Sequence, residues 1–85
     1  MSKRSPREEI SKNVVDLLKA ERLNRKLSMT AVAEVAGLHV SHISLVERGQ
    51  RKPTLDALLR IAEALEIDLW ATLKESTDKA KCNKQ

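Results

Sequence analysis

Aromatic residues are nearly absent from this 85-residue chain: there is no Phe, no Tyr and a single Trp, Trp70. Cysteine is as scarce. Cys82 is alone in a polar C-terminal stretch, which excludes an intramolecular disulfide and a cysteine-based zinc site. With only two glycines there is no glycine-rich phosphate loop. Nor is there a Ser-His-Asp set or a pair of carboxylates with a pocket, so no enzyme class is supported and no cofactor is expected. His39 and His42 stand three residues apart but lack a third ligand, so no metal is expected either. No run of about eighteen apolar residues is present, which excludes a membrane-spanning helix of that length. The opening Met-Ser-Lys-Arg-Ser-Pro lacks the apolar core of a secretory signal, and the expected location is the cytoplasm. Strand signals, repeats and low-complexity segments are also missing.

What is present reads as one small all-α domain. Sixteen Lys and Arg against twelve Asp and Glu give a net charge of +4, a balance that favours a polyanionic partner without proving one. A chain of this size buries only about 60% of its unfolded surface, so a partner subunit is expected to supplement its core. Ser5 and Pro6 followed by Glu8 and Glu9 mark a helix start, with a capping hydroxyl and acids at the positive end of the dipole. Ile10, Val14, Leu17 and Leu18 give that first helix an apolar stripe to about Arg25. Ser28 caps a second helix closed by Gly37, and a third runs from after His39 to Gly49. Arg51, Lys52 and Pro53 form a basic loop, and Thr54 caps a fourth helix. Its buried stripe is predicted to be Leu55, Leu58, Leu59, Ala62 and Leu65, with Asp56, Arg60 and Glu63 facing water. A short fifth helix follows Asp68. The ends, residues 1–5 and 76–85, carry too few apolar groups to offset ordering entropy and are expected to be mobile around a domain at 6–75.

Residues 29–48 are the most informative segment. Two short helices that meet at roughly 90–120° across a tight turn approach closely only if the crossing residue is small, and Ala33 is small. Four residues later the first of them must end in a left-handed conformation, which Gly37 adopts without a Cβ penalty. Val32 and Ala36 before the turn, with Leu38, Ile43 and Val46 after it, fall at spacings that face both helices to a common core. The pattern meets the steric demands of a helix-turn-helix.

Leu27-Ser28, Ala33, Gly37-Leu38, Ile43-Ser44 and Glu47-Arg48-Gly49-Gln50-Arg51 resemble the Cro and lambda-repressor type helix-turn-helix family, also called the xenobiotic-response-element family. The resemblance covers about residues 14–73. The Glu-Arg-Gly-Gln-Arg segment particularly resembles controller proteins of restriction-modification systems. The resemblance implies a five-helix lambda-repressor-like domain, usually dimeric, that binds operators. It also implies an ion pair between Arg22 and Glu47, tying the first helix to the third. Family members commonly carry a phosphate-reaching Gln just after the Ser that starts the second helix; here that place holds Met29, although backbone amides at Ser28 and Met29 remain able to bind phosphate. Glu21 occupies a place that is usually apolar.

If Ile43 and Val46 point inward, Ser41, Leu45 and Arg48 lie on the opposite side of the third helix, flanked by His42 and Ser44, with Val40 at its first turn. That face is expected to enter the major groove of double-stranded DNA. Ser41 and Ser44 donate or accept there, whereas Val40 and Leu45 offer apolar contact to the thymine methyl, predicting readout rich in A·T pairs. Burial of Val40 or Leu45 by a neighbouring helix is the competing reading. His39 is expected near phosphate, and His42 is a groove-edge contact or plain surface. Arg48, Arg51 and Lys52 cluster where the duplex backbone would pass. Lys3, Arg4 and Arg7 form either a DNA-binding arm or a solubility feature. Ile67, Leu69, Trp70 and Leu73 give the last helix apolar surface suited to a homodimer seam, or Trp70 simply closes the monomer core. Two functions from different classes follow: a dimeric transcriptional regulator reading a short palindrome, or a protein-interaction module (an antirepressor or assembly domain) that uses the same fold without reading DNA.

Overall fold

The computed structural model describes the backbone of residues 5–82 and the side chains of residues 5–78. Its order is α1 (Pro6–Asn24), α2 (Met29–Ala36), α3 (Val40–Glu47), α4 (Leu55–Ala64) and α5 (Leu69–Cys82), with no strand among the described residues. Lys3 and Arg4 lie outside the described residues, and the Cys82 thiol outside the described side chains.

Local chemistry sets the helix starts. Ser5 Oγ accepts from the Glu8 N–H and Glu8 Oε1 accepts from the Ser5 N–H, closing a capping box at α1. That backbone donor, aided by the charge of Lys52, holds the Glu8 carboxyl below its ordinary range. Ser28 Oγ caps α2 on the Ala31 N–H, and Thr54 Oγ1 caps α4 on the Ala57 N–H, each at 3.0 Å. The first four helices share one kind of end. Leu27 N–H donates to Arg22 O, Leu38 to Ala33 O, Gln50 to Leu45 O and Ile67 to Ala62 O, each closing the last turn over a left-handed residue. That residue is glycine beside the third helix, at Gly37 and Gly49, but Lys26 after α1 and Glu66 after α4.

Val14, Leu18, Val32, Ala33, Ile43, Ile61 and Leu65 make the central core, with Ile10, Leu27, Leu38, Leu58 and Ile67 packed around it. Two sequence expectations are corrected here. The buried face of α4 is Ala57, Ile61, Ala62 and Leu65, whereas Leu55 and Leu59 are 64% and 50% exposed. Small Ala57 is buried on the inner side of α4, which packs on α2, and the Leu55–Leu59 ridge is outward. Second, α5 is not short: it continues through residues 76–82, which were expected to be mobile. It lies along α1, where Ser76 is fully buried and its carbonyl accepts from Asn13 Nδ2 at 3.3 Å. Thr72, Ser76 and Thr77 each donate their hydroxyl to the carbonyl four residues back, so polar side chains sit on the packed side of a helix with their donors satisfied.

Candidate nucleic-acid interface

The α2 and α3 axes turn by 117° across Gly37, Leu38 and His39, with Ala33 and Ala36 buried at the crossing. Gly37 is required for its backbone, at φ 72°, and for space: a Cβ there would lie 3.0 Å from Arg60 Nη1. Arg60 Nη1 donates to the Ala36 carbonyl at 3.2 Å while its Nε donates to Asp56 Oδ2 at 2.8 Å. A cation thereby meets the negative end of α2.

A charged pair fixes the far end of α3. Arg22 Nε and Nη2 donate to the two carboxylate oxygens of Glu47 at 2.7 and 2.9 Å, and Nη1 donates to the Leu27 carbonyl at 2.8 Å. The two side chains are only 9% and 10% exposed. One guanidinium thus joins α1, the segment before α2, and α3 through a planar fork that lysine lacks.

Ile43 and Val46 are buried, which turns Ser41 and Arg48 outward; Val40 is exposed, and Ser44 and Leu45 are half-buried. His39 Nδ1 lies 3.1 Å from Ser41 Oγ, placing an exposed imidazole beside an exposed hydroxyl at the start of α3. Arg51 and Lys52 are exposed just beyond the helix. With Arg48, Gly49 and Pro53 they face Glu8, Ser11, Lys12 and Asp16 of α1 across a surface groove. Sequence reading did not anticipate α1 as the wall beside the basic loop, because these residues are some forty positions apart in the chain.

Other expected site residues are placed differently. Met29 packs against the core, so only the α2 terminus and the Ser28 hydroxyl face outward; an apolar thioether gains more from burial than from a phosphate. His42, read as a groove-edge contact or plain surface, is half-buried, with Nε2 enclosed and without a hydrogen-bond partner. Glu21 is paired with Arg25 at 2.6 Å, so a charge at that boundary is compensated. Leu69 is buried within the protomer and Ile67 and Leu73 pack on the core, whereas Trp70 is 72% exposed and does not close the core. Trp70 and Leu59 share a groove with Asp56, Arg60, Glu63 and Asp68, so the exposed apolar surface spans α4 as well as α5. The missed signal was the i,i+4 pair Leu55 and Leu59 beside the smaller Ala57. Among the described residues, no cluster of three or more His, Cys, Asp or Glu is arranged to hold a metal, and no single helix is long and apolar enough to cross a membrane.

Five helices with a tight α2–α3 crossing and an exposed α3 face define a helix-turn-helix protein. Residues 18–69 match the helix-turn-helix family model, and the chain belongs to that family. It is 35% identical to the control protein C.SmaI of Serratia marcescens over 72% of this chain and 73% of that protein. The first curated relatives are longer, and the chain spans only about a third of their length. Among solved structures it resembles the restriction-modification controller protein C.AhdI of Aeromonas hydrophila, with a TM-score of 0.67 at 33% identity over 74% of this chain and 94% of that one. It also resembles the controller protein C.Esp1396I, solved as a tetramer in complex with its natural 35-base-pair operator. The TM-score there is 0.68 at 27% identity over 80% of this chain and 92% of that one.

Proposed function

We propose that this protein is a sequence-specific regulator that reads a short palindromic operator in double-stranded DNA as a homodimer. The observation that carries the reading is α3 itself: a helix locked from beneath by the buried Arg22–Glu47 pair, presenting Val40 and Ser41 outward, with half-buried Ser44 and Leu45 beside them, next to Arg48, Arg51 and Lys52. Ser28 and His39 flank the same surface. The side chains at the N-terminal part of α3 suit base edges, and the basic loop suits phosphates. That C.Esp1396I was solved in complex with its operator supports DNA binding by analogy. The exposed Trp70, Leu59 and Leu55 supply the pairing surface, and Ile67 lines the same groove as Trp70 and Leu59. Two copies paired there present α3 to major grooves roughly 34–36 Å apart. The reading assigns no catalysis and no cofactor, and it places the protein with DNA in the cytoplasm.

Selection of duplexes from a random pool, followed by footprinting and sedimentation, tests this. A palindromic, A·T-containing site is expected, with affinity falling against log salt at about −0.9 per phosphate neutralised. Arg48→Ala, Arg51→Ala and Lys52→Ala should each make that slope shallower. Trp70→Ala should weaken pairing and operator binding together, whereas Ser41→Ala should leave the dimer intact and relax base preference by about 1–3 kcal/mol. The orientation of Met29 toward the core favours the interaction-module alternative, and failure to bind any duplex at low salt would establish it over DNA reading.

A further inference from the structure

The α2–α3 turn is held on one side by the core and on the other by a single arginine from α4. Ala36 is the last residue of α2, and its carbonyl is among those that a helix cannot satisfy internally. The turn's own amides bond elsewhere: Gly37 N–H to Ala33 O and Glu34 O, and Leu38 N–H to Ala33 O. Arg60 Nη1 reaches the Ala36 carbonyl at 3.2 Å across twenty-four residues of sequence. The guanidinium is steered toward the turn by an exposed ion pair of its Nε with Asp56, at 2.8 Å, one turn earlier on α4. It also fills the space beside Gly37 that a Cβ would enter. Asp56, Arg60, Leu59 and Trp70 line one groove, so the arginine that touches the turn stands on the surface assigned to pairing.

We propose that Arg60 is a positioning residue for base reading: by bracing the α2 C-terminus against α4, it sets the angle at which α3 is presented relative to the pairing surface. This rests on the reading of the chain as a dimeric DNA-binding protein. A palindrome is read only if both copies hold α3 at one angle to the seam, and Arg60 lies between the two. A small tilt of α3 moves side chains off base edges while leaving flexible phosphate contacts largely intact, so the arginine acts on discrimination rather than on overall affinity for DNA.

The test uses the full chain and the duplex selected by the wild type, with a scrambled duplex of equal length and composition. Arg60→Met keeps the aliphatic stem and removes the fork; Arg60→Lys keeps the charge but cannot brace Asp56 and Ala36 together as a planar fork does. Arg60→Met is expected to lower the ratio of selected to scrambled affinity about fivefold, the scale of one ordinary hydrogen bond, since the arginine is half-exposed. Arg60→Lys should fall between wild type and Arg60→Met, and scrambled-duplex affinity should change little in either. Combined with Ser41→Ala, the loss should be less than the sum of the two single losses, because a misplaced helix has already forfeited part of the Ser41 contact. An unchanged ratio in both variants, or strict additivity with Ser41→Ala, overturns the positioning role alone. A wild type that shows no preference for any duplex overturns the DNA reading, and the role of Arg60 with it.

Discussion

Helix α1 is anchored on opposite sides by two polar contacts of different kinds. Asn13 and Arg22 are nine residues apart, about half a turn around the helix after two full turns. Arg22 faces α3 and meets Glu47 with two charged hydrogen bonds, while Asn13 faces α5 and gives one neutral bond to the Ser76 carbonyl. Both are almost fully buried. The helix proposed to offer residues to DNA is therefore held by charge and the helix that completes the scaffold by a neutral amide. A buried charge tolerates the loss of its partner poorly; a buried amide loses less.

The largest effect should come from breaking the charged anchor. Arg22→Ala strands Glu47, and Glu47→Ala strands Arg22, each at about 3–5 kcal/mol. Replacing both at once, Arg22→Met with Glu47→Leu, should recover most of that loss, since neither charge is then left unpaired. Urea midpoints measured at one protomer concentration read this directly. Single mutants with wild-type midpoints would remove the difference between the two sides of α1.

The neutral anchor should yield less. Asn13→Ala deletes one hydrogen bond and a few buried atoms, for about 1–2 kcal/mol in the same urea titration. It should also leave duplex selectivity unaltered, because α5 touches α3 less than α1 does. A loss equal to that of Glu47→Ala would show that burial, rather than charge, sets the cost.

The same contrast explains what could be read from the chain beforehand. The helix starts at Ser5, Ser28 and Thr54, and the turn at Gly37, are decided by residues within four positions of one another, so their chemistry is visible locally. The inward set Ile43 and Val46 followed for the same reason, and it fixed which face of α3 is outward. Elements whose burial depends on a distant partner were less legible. Leu55 and Leu59 compete with Ala57 and Ile61 for the core, and the structure buries the latter pair. Ser76 and Thr72 conceal the periodicity of α5 because polar residues occupy its packed positions, with their hydroxyls returned to the helix backbone. Met29 occupies a place associated with a phosphate contact, yet its own chemistry sends it into the core. The Arg60 brace joins residues twenty-four apart by geometry alone, and no local pattern marks it.

Helix ends extend the contrast to the backbone, at the smallest expected effect. Gly37 and Gly49 bracket α3 with left-handed residues that carry no Cβ, whereas Lys26 and Glu66 hold the same conformation at φ 58° with one. A non-glycine residue there is strained by roughly 1–2 kcal/mol, part of which glycine returns through greater freedom in the unfolded chain. Lys26→Gly is therefore expected to stabilise the protein by about 0.5–1 kcal/mol. Lys26 is exposed, so little packing is lost with its side chain. Glu66 is the less informative position, because it lies 3.7 Å from Arg25 in an exposed ion pair that its replacement would also remove. The reverse change beside α3, Gly49→Ala, should destabilise by a similar amount, and no neighbouring atom within 4 Å adds a clash to the backbone cost. A matched pair of urea midpoint shifts, up for Lys26→Gly and down for Gly49→Ala, isolates the left-handed conformation as their cause. A Lys26→Gly protein no more stable than the wild type would mean that the α1 end relaxes around its lysine, and the scaffold ends would then be as well fitted as those of α3.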